Sequence, residues 1–225
     1  MTNGLTELVF ILDKSGSMSG LEKDTIGGYN AMLGKQEEVK GECRVTTVLF
    51  NNGYSLIHDR IDIKAIRPMT SKEYTVGGTT ALLDAIGKTI YKIISAQRHT
   101  LKEYQAEKVI FVIITDGEEN ASHVYSDREI KKLIEQQKEK YGWEFVFLGA
   151  NIDAIKTAGH FGISPESAVD YLADSEGTEL NFDVMGQAVA YFRKVGKFES
   201  SFLEPIREDV KARGKKRATD LGCKS

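Results

Sequence analysis

Two runs in this chain, Leu8-Val-Phe-Ile-Leu12 and Val109-Ile-Phe-Val-Ile-Ile114, are apolar at every position. A strand with one wet face alternates apolar and polar residues, so runs without alternation predict strands covered on both sides, as in the centre of a parallel sheet. Parallel neighbours need crossover segments, and amphipathic stretches separate the apolar runs through most of the sequence. The pattern predicts the α/β class, a Rossmann-like three-layer α/β/α domain around a mainly parallel sheet of about six strands. A length of 225 residues fits one such domain with an extension, drawn here as 1–195 for the domain and 196–225 for a C-terminal tail.

One segment departs from the parallel pattern. Cys43 to Phe50 reads as a strand, Asn52-Gly53 as a hairpin turn, and Ser55 to Ile63 alternates Ile57, Ile61 and Ile63 against His58, Arg60 and Asp62. This predicts an antiparallel edge strand with one solvated face. Phe145 to Leu148 and Ala168 to Leu172 complete the strands. Ser19-Gly-Leu-Glu22 and Ser126-Asp-Arg-Glu129 both fit a helix capping box. Ile26, Tyr29 and Leu33; Leu82, Ile86, Ile90 and Ile93; and Ile130, Leu133, Ile134 and Tyr141 recur at helical spacing, and Tyr91 is counted with the core. Short helices are expected over Ala154 to Phe161 and Phe182 to Val195. The connection from Lys64 to Gly78 lacks periodicity, and loops of that length in a compact domain are often functional. Beyond residue 196 the pattern weakens, and Gly214-Lys-Lys-Arg217 with Lys224 reads as a solvated or partly ordered tail.

Composition removes several classes. The chain holds 33 acidic and 30 basic residues, a balance that leaves no electrostatic footprint for nucleic acid. Cys43 and Cys223 make neither a disulfide framework nor a thiolate metal site, and the four histidines show no paired ligand spacing. The start lacks a basic and apolar leader pattern, and no apolar stretch approaches membrane-spanning length, so a reducing cytoplasm is the expected compartment.

What remains is concentrated at strand ends. Asp13-Lys-Ser15-Gly-Ser17 leaves the first apolar run, Thr115-Asp116-Gly117 leaves the second, and Gly77-Gly78-Thr79-Thr80 precedes the helix that starts near Ala81. Loops at the carboxyl ends of parallel strands form the binding edge of open α/β folds, so these side chains are expected to converge. Two carboxylates and three hydroxyls are hard oxygen donors, suited to Mg2+ before Zn2+ or copper, with Mn2+ and Ca2+ as the alternatives. Each piece also has a plainer reading. Asp13 and the serines could form a turn, Asp116-Gly117 a strand-end turn, and Thr80 a helix cap. Glu118 and Glu119 are read as a solvated loop pair, and His123 as a surface histidine.

Together, D-x-S-x-S after the first strand, G-x-T before a helix and T-D-G after a central strand resemble the metal ion-dependent adhesion site (MIDAS) of the von Willebrand factor A (vWA) domain, the fold shared with integrin I domains. The resemblance spans roughly residues 5 to 195 and matches Asp13, Ser15 and Ser17 to the first motif, Thr80 to the threonine with Thr79 as alternative, and Asp116 to the last. It implies that Ser15 and Ser17 bind Mg2+ directly, with Asp13, Thr80 and Asp116 acting directly or through water. It also implies a protein partner that supplies an Asp or Glu carboxylate to the metal. An intracellular member from a bacterium or phage is expected, working alone or as the accessory subunit of an ATP-driven remodelling or chelatase-type complex.

Enzyme signatures fail one by one. Met18 stands where the nucleophile of G-x-S-x-G belongs, and no phosphate-binding glycine loop occurs. Ser15 replaces the second aspartate of a D-x-D-x-T phosphotransferase. A non-enzymatic binding module is therefore expected, with a metal-dependent hydrolase or phosphotransferase using Asp13 as the lesser alternative.

Overall fold

The computed structural model describes the backbone of residues 4–222 and the side chains of residues 4–214. Cys223, Lys224 and the side chains of Lys215, Lys216 and Arg217 lie outside the described residues. Six strands, β1 (Thr6–Asp13), β2 (Cys43–Phe50), β3 (Tyr54–Asp62), β4 (Lys108–Thr115), β5 (Glu144–Gly149) and β6 (Ala168–Asp170), form one sheet in the order β3-β2-β1-β4-β5-β6. Only β3 runs antiparallel, paired with β2 at the sheet edge. The helices are α1 (Glu22–Glu37), α2 (Leu82–Arg98), α3 (Asp127–Tyr141), α4 (Ala154–His160), α5 (Ser175–Val195) and α6 (Glu204–Gly222).

The unalternating runs behave as their chemistry requires. Leu8, Phe10 and Leu12 of β1 join one apolar core with Tyr29 of α1, Phe182 and Phe192 of α5, and Leu203 and Ile206. Val9 and Ile11 point the other way, into a second core with Ile86 and Ile90 of α2, Ile130 of α3 and Ala154 of α4. Because successive strand side chains alternate faces, an all-apolar strand feeds both layers at once. Burying each such side chain contributes roughly 1.5–3 kcal/mol, which explains why the sheet centre is continuous hydrocarbon. Among the described residues no helix is long and apolar enough to cross a membrane.

Several expectations are corrected. The Ser126–Glu129 capping box forms, but Ser19 does not cap α1. The chain instead makes a 3-10 turn over Gly16–Met18, swings through Gly20 at φ +94°, and starts α1 with the Glu22 carboxylate accepting the Gly20 N–H at 2.8 Å. On β3, two register shifts opposite β2 break the alternation, so His58 is buried while Ile57 and Ile61 are half-buried. Tyr91 and Tyr141 are 52% and 59% exposed rather than core. Of the extension beyond residue 196, the part up to residue 214 carries buried side chains. After Gly196 at φ +82° the chain turns, and Phe198, Leu203 and Ile206 are buried against α5 and the sheet. Phe198, Phe202, Leu203 and Ile206 fall within nine positions, but a 3-10 turn over Ser200–Leu203 and Pro205 interrupt a continuous helical run, so this packing left little trace in the pattern. The helix expected over Phe182 to Val195 begins earlier, at Ser175, where Asp174 accepts the Gly177 N–H.

The order β2-β1-β4-β5 makes β1 and β4 adjacent although 94 residues separate Asp13 from Lys108 at their nearer ends. Connections leave β1 towards one side of the sheet and β4 towards the other. Their carboxyl ends therefore border the crevice where open α/β sheets take ligands.

Candidate metal centre

Asp13 ends β1 with its side chain turned into the crevice and only 1% exposed. Its Oδ1 accepts the Ser15 N–H at 2.7 Å, the bond that folds Asp13-Lys-Ser15 back on itself. Its Oδ2 accepts the Thr115 hydroxyl from the end of β4 at 2.5 Å. Ser15 Oγ and Ser17 Oγ share a hydrogen bond of 2.9 Å, and Ser17 donates to Asp116 Oδ1 at 2.6 Å. One continuous chain of oxygens thus links the ends of two strands that are distant in sequence.

The third segment is placed by backbone contacts. Gly16 N–H donates to Gly78 O at 3.1 Å, and Gly77 N–H donates to Lys14 O at 2.9 Å. Gly78 has φ +80°, and a Cβ there would fall 2.2 Å from Asn52 Oδ1, so only glycine fits. Thr80 follows, 3% exposed, whereas Thr79 is exposed. A Cβ on Gly117 would lie 3.3 Å from both Ser17 Oγ and Thr80 Oγ1. Both hydroxyls therefore border the space beside Gly117, which selects Thr80 over Thr79 as the group on the site. Asp13, Ser15, Ser17, Thr80 and Asp116 are all brought together, with Ser17 on the exposed side.

Five supporting residues escaped the sequence reading. Thr115, inside the motif, fixes Asp13. Tyr74, from the long Lys64–Gly78 connection, is 1% exposed and donates its hydroxyl to Asp13 O at 2.5 Å. Asn120 Oδ1 accepts the Thr80 N–H at 2.9 Å, and its own N–H returns to Thr80 O at 3.0 Å. Glu119 is not a solvated loop charge. Its carboxylate accepts N–H bonds from Leu83, Ala121 and Ser122, capping α2 from across the crevice. Asp84 in the first turn of α2 accepts three more, from His123, Val124 and Tyr125. Only Thr115 had a sequence signal; the others depend on a loop whose course no local pattern encodes.

The electrostatics are unbalanced. Burial pushes the Asp13 carboxyl above its ordinary range. Burial likewise pushes Asp116 up to about 6, and the neighbouring charge of Asp13 adds to it. Among the described residues neither carboxylate enters an ion pair. Asp116 Oδ2 is buried with no hydrogen-bond partner. Two buried carboxylates without a counter-charge fit a divalent cation, which supplies the missing positive charge and a Lewis-acid partner for the orphaned oxygen. The donor set also fits in spacing, since neighbouring oxygens around Mg2+ with bonds of 2.0–2.1 Å stand about 2.9 Å apart. Among the described residues no group of three or more His, Cys, Asp or Glu could hold a metal ion, so hydroxyls carry this donor set.

The sequence matches no family model and no curated protein. The architecture does match solved structures. It superposes on proximal thread matrix protein 1 from the mussel byssus, in a structure described with a zinc-occupied MIDAS motif, at TM-score 0.55 and 14% identity over 83% of this chain and 46% of that one. It superposes on a von Willebrand factor type A protein from Catenulispora acidiphila at TM-score 0.53 and 12% identity, over 82% and 42% of the two chains. The fold is that of a von Willebrand factor A domain. An ArnB paralog, VWA2 from Sulfolobus acidocaldarius, shares the vWA fold at TM-score 0.51 and 15% identity, over 83% and 44%. The chain spans less than half the length of these three vWA-fold structures.

Proposed function

We propose that this vWA fold is a Mg2+-dependent protein-binding module whose metal centre captures an acidic residue of a partner protein. The observation that carries the reading is the pair of buried carboxylates that enter no ion pair among the described residues, wired to Ser15 and Ser17. Ser15, Ser17 and Thr80 would hold the ion with neutral oxygens, while Asp13 and Asp116 orient those hydroxyls and offset part of its charge. A bound divalent ion supplies a Lewis-acid positive charge that a carboxylate can complete. Exposure of Ser17 leaves that side open to a partner, and Thr79 sits on the same rim.

The module is non-enzymatic in this reading. Asp13 has both carboxylate oxygens hydrogen-bonded and is almost fully buried, which suits a positioning group better than an attacking one. Solitary adaptor and accessory subunit of an ATP-driven complex are both compatible with the surface; the adaptor is preferred because it needs no second component.

Calorimetric titration of Mg2+ into metal-free protein tests the centre, with Ser17→Ala beside wild type because Ser17 is exposed and its loss leaves the core intact. One-site binding weakened at least tenfold in Ser17→Ala is expected. Equal binding by both proteins, or none by either at several millimolar Mg2+, overturns the reading. A glutamate-bearing peptide array probed with and without Mg2+ then tests capture, with metal-dependent binding expected.

A further inference from the structure

Beside Asp13 a cavity of about 10 Å3 is bordered by Asp13, Thr25 of α1, Tyr171, and Thr178 and Asn181 of α5, with four apolar side chains completing its wall. All five residues are buried. Thr178 Oγ1 and both amide atoms of Asn181 make no hydrogen bond to another protein group. Thr25 Oγ1 is likewise shielded and lies within hydrogen-bonding reach of the Tyr74 hydroxyl, which leaves it free to accept one bond more. Buried polar groups are nearly always satisfied, and three orphaned atoms around one cavity point to a shared ligand.

Chemistry narrows the ligand. Asn181 presents a donor and an acceptor, so a monovalent cation would engage Oδ1 and leave the Nδ2 hydrogens unmatched. An anion would face the buried Asp13 carboxylate. Water both donates and accepts, and a single water needs about 10–15 Å3 and two to four polar partners. We propose that this cavity is a built site for one internal water, bound by Asn181, Thr178 and Thr25, which ties α1 and α5 together beside Asp13. Thr178 and Asn181 are then positioning residues for the metal-binding edge, acting from a helix that contributes no ligand to it. The hydration site stands on the cavity alone; its effect on metal affinity rests on the reading of the edge as a metal centre.

The test begins with a near-atomic crystal structure of the full chain, free of divalent metal and grown with Rb+ as the monovalent cation. A single solvent peak at 2.7–3.2 Å from both amide atoms of Asn181, without Rb+ anomalous signal, is expected. A dry cavity overturns the proposal, and an Rb+ signal there overturns the choice of water. The second arm compares Thr178→Val and Thr178→Ser by Mn2+ titration and by melting temperature. Valine keeps the shape and loses the hydroxyl, so a several-fold loss of Mn2+ affinity is expected, restored by serine. A higher melting temperature with unchanged Mn2+ affinity in Thr178→Val would show orphaned groups with no link to Asp13. If wild type binds no Mn2+, the metal centre fails while the crystallographic arm still decides the water.

Discussion

The two ends of β1 each bury a carboxylate, and they treat it differently. Glu7 near the amino end is 0% exposed, and Asp13 at the carboxyl end is 1% exposed. Glu7 receives Arg60 Nε at 3.0 Å, from a β3 residue that reaches it by adopting φ +51° beside a register shift. Thr46 of β2 adds a long hydrogen bond of 3.5 Å. Asp13, six residues further on and so about 20 Å away, receives only a hydroxyl and an N–H. Burial opposes ionisation at both, but the protein answers it internally at one end only. A charge completed by the chain belongs to the scaffold, and one left without a partner charge is what the proposed metal centre would use.

Glu7→Ala should show the largest effect, because it strands the Arg60 guanidinium inside. Removing one partner of a buried pair costs about 3–5 kcal/mol. Urea unfolding should show that loss as a lower midpoint at unchanged slope. A loss below about 1 kcal/mol, the range of exposed pairs, would erase the contrast by showing that Glu7 is effectively solvated.

Asp116→Asn should act in the opposite direction on metal-free protein. The wild-type carboxyl is pushed up to about 6 by burial, so neutralising it removes a charge that the fold resists. A gain of roughly 1–2 kcal/mol at pH 7 is expected from a shift of that size, discounted for partial solvation. In Mg2+ the order should reverse, since wild type gains about 2.7 kcal/mol at a hundredfold excess over Kd and the variant gains little. Melting temperatures of both proteins with and without Mg2+ check this, and parallel lines for the two would remove the distinction between the two ends of β1.

The sequence was most legible where one residue type had one job. Unalternating strands can only be buried on both faces, so β1 and β4 and the three-layer class followed from Leu8–Leu12 and Val109–Ile114. The five candidate site residues were readable because each sits next to a strand end or helix start. Gly78, clamped against Asn52, and Gly117, packed beside Ser17 and Thr80, give the same motifs a steric reason. What stayed hidden depends on partners far away in sequence. Tyr74 carried no signal of its own and Glu119 read as a loop charge until the chain brought them to Asp13 and to the start of α2. Arg60 looked like the wet face of an edge strand, because a bulge is invisible to period-2 reasoning. Residues beyond 195 were legible only in part, since Phe198, Leu203 and Ile206 cover the sheet from a segment that a 3-10 turn over Ser200–Leu203 and Pro205 interrupt.

The smallest expected effect sharpens the contrast with a group buried neutral rather than charged. His58 Nε2 donates to Arg67 O at 3.0 Å, which leaves Nδ1 to accept from Thr47 Oγ1 at 3.0 Å, with the Tyr29 hydroxyl at 3.3 Å. Burial holds its pKa below the ordinary 6.5, opposed by the Arg67 carbonyl. The unfolded chain therefore binds a proton that the folded chain refuses. The His58 contribution is complete above pH 6.5 and is lost as pH falls from there towards the depressed folded value. Melting temperature should drop by a few degrees more between pH 7 and pH 5.5 in wild type than in His58→Gln, whose amide retains a donor and an acceptor. Equal slopes would mean that His58 protonates in place, and that burial does not keep this group neutral.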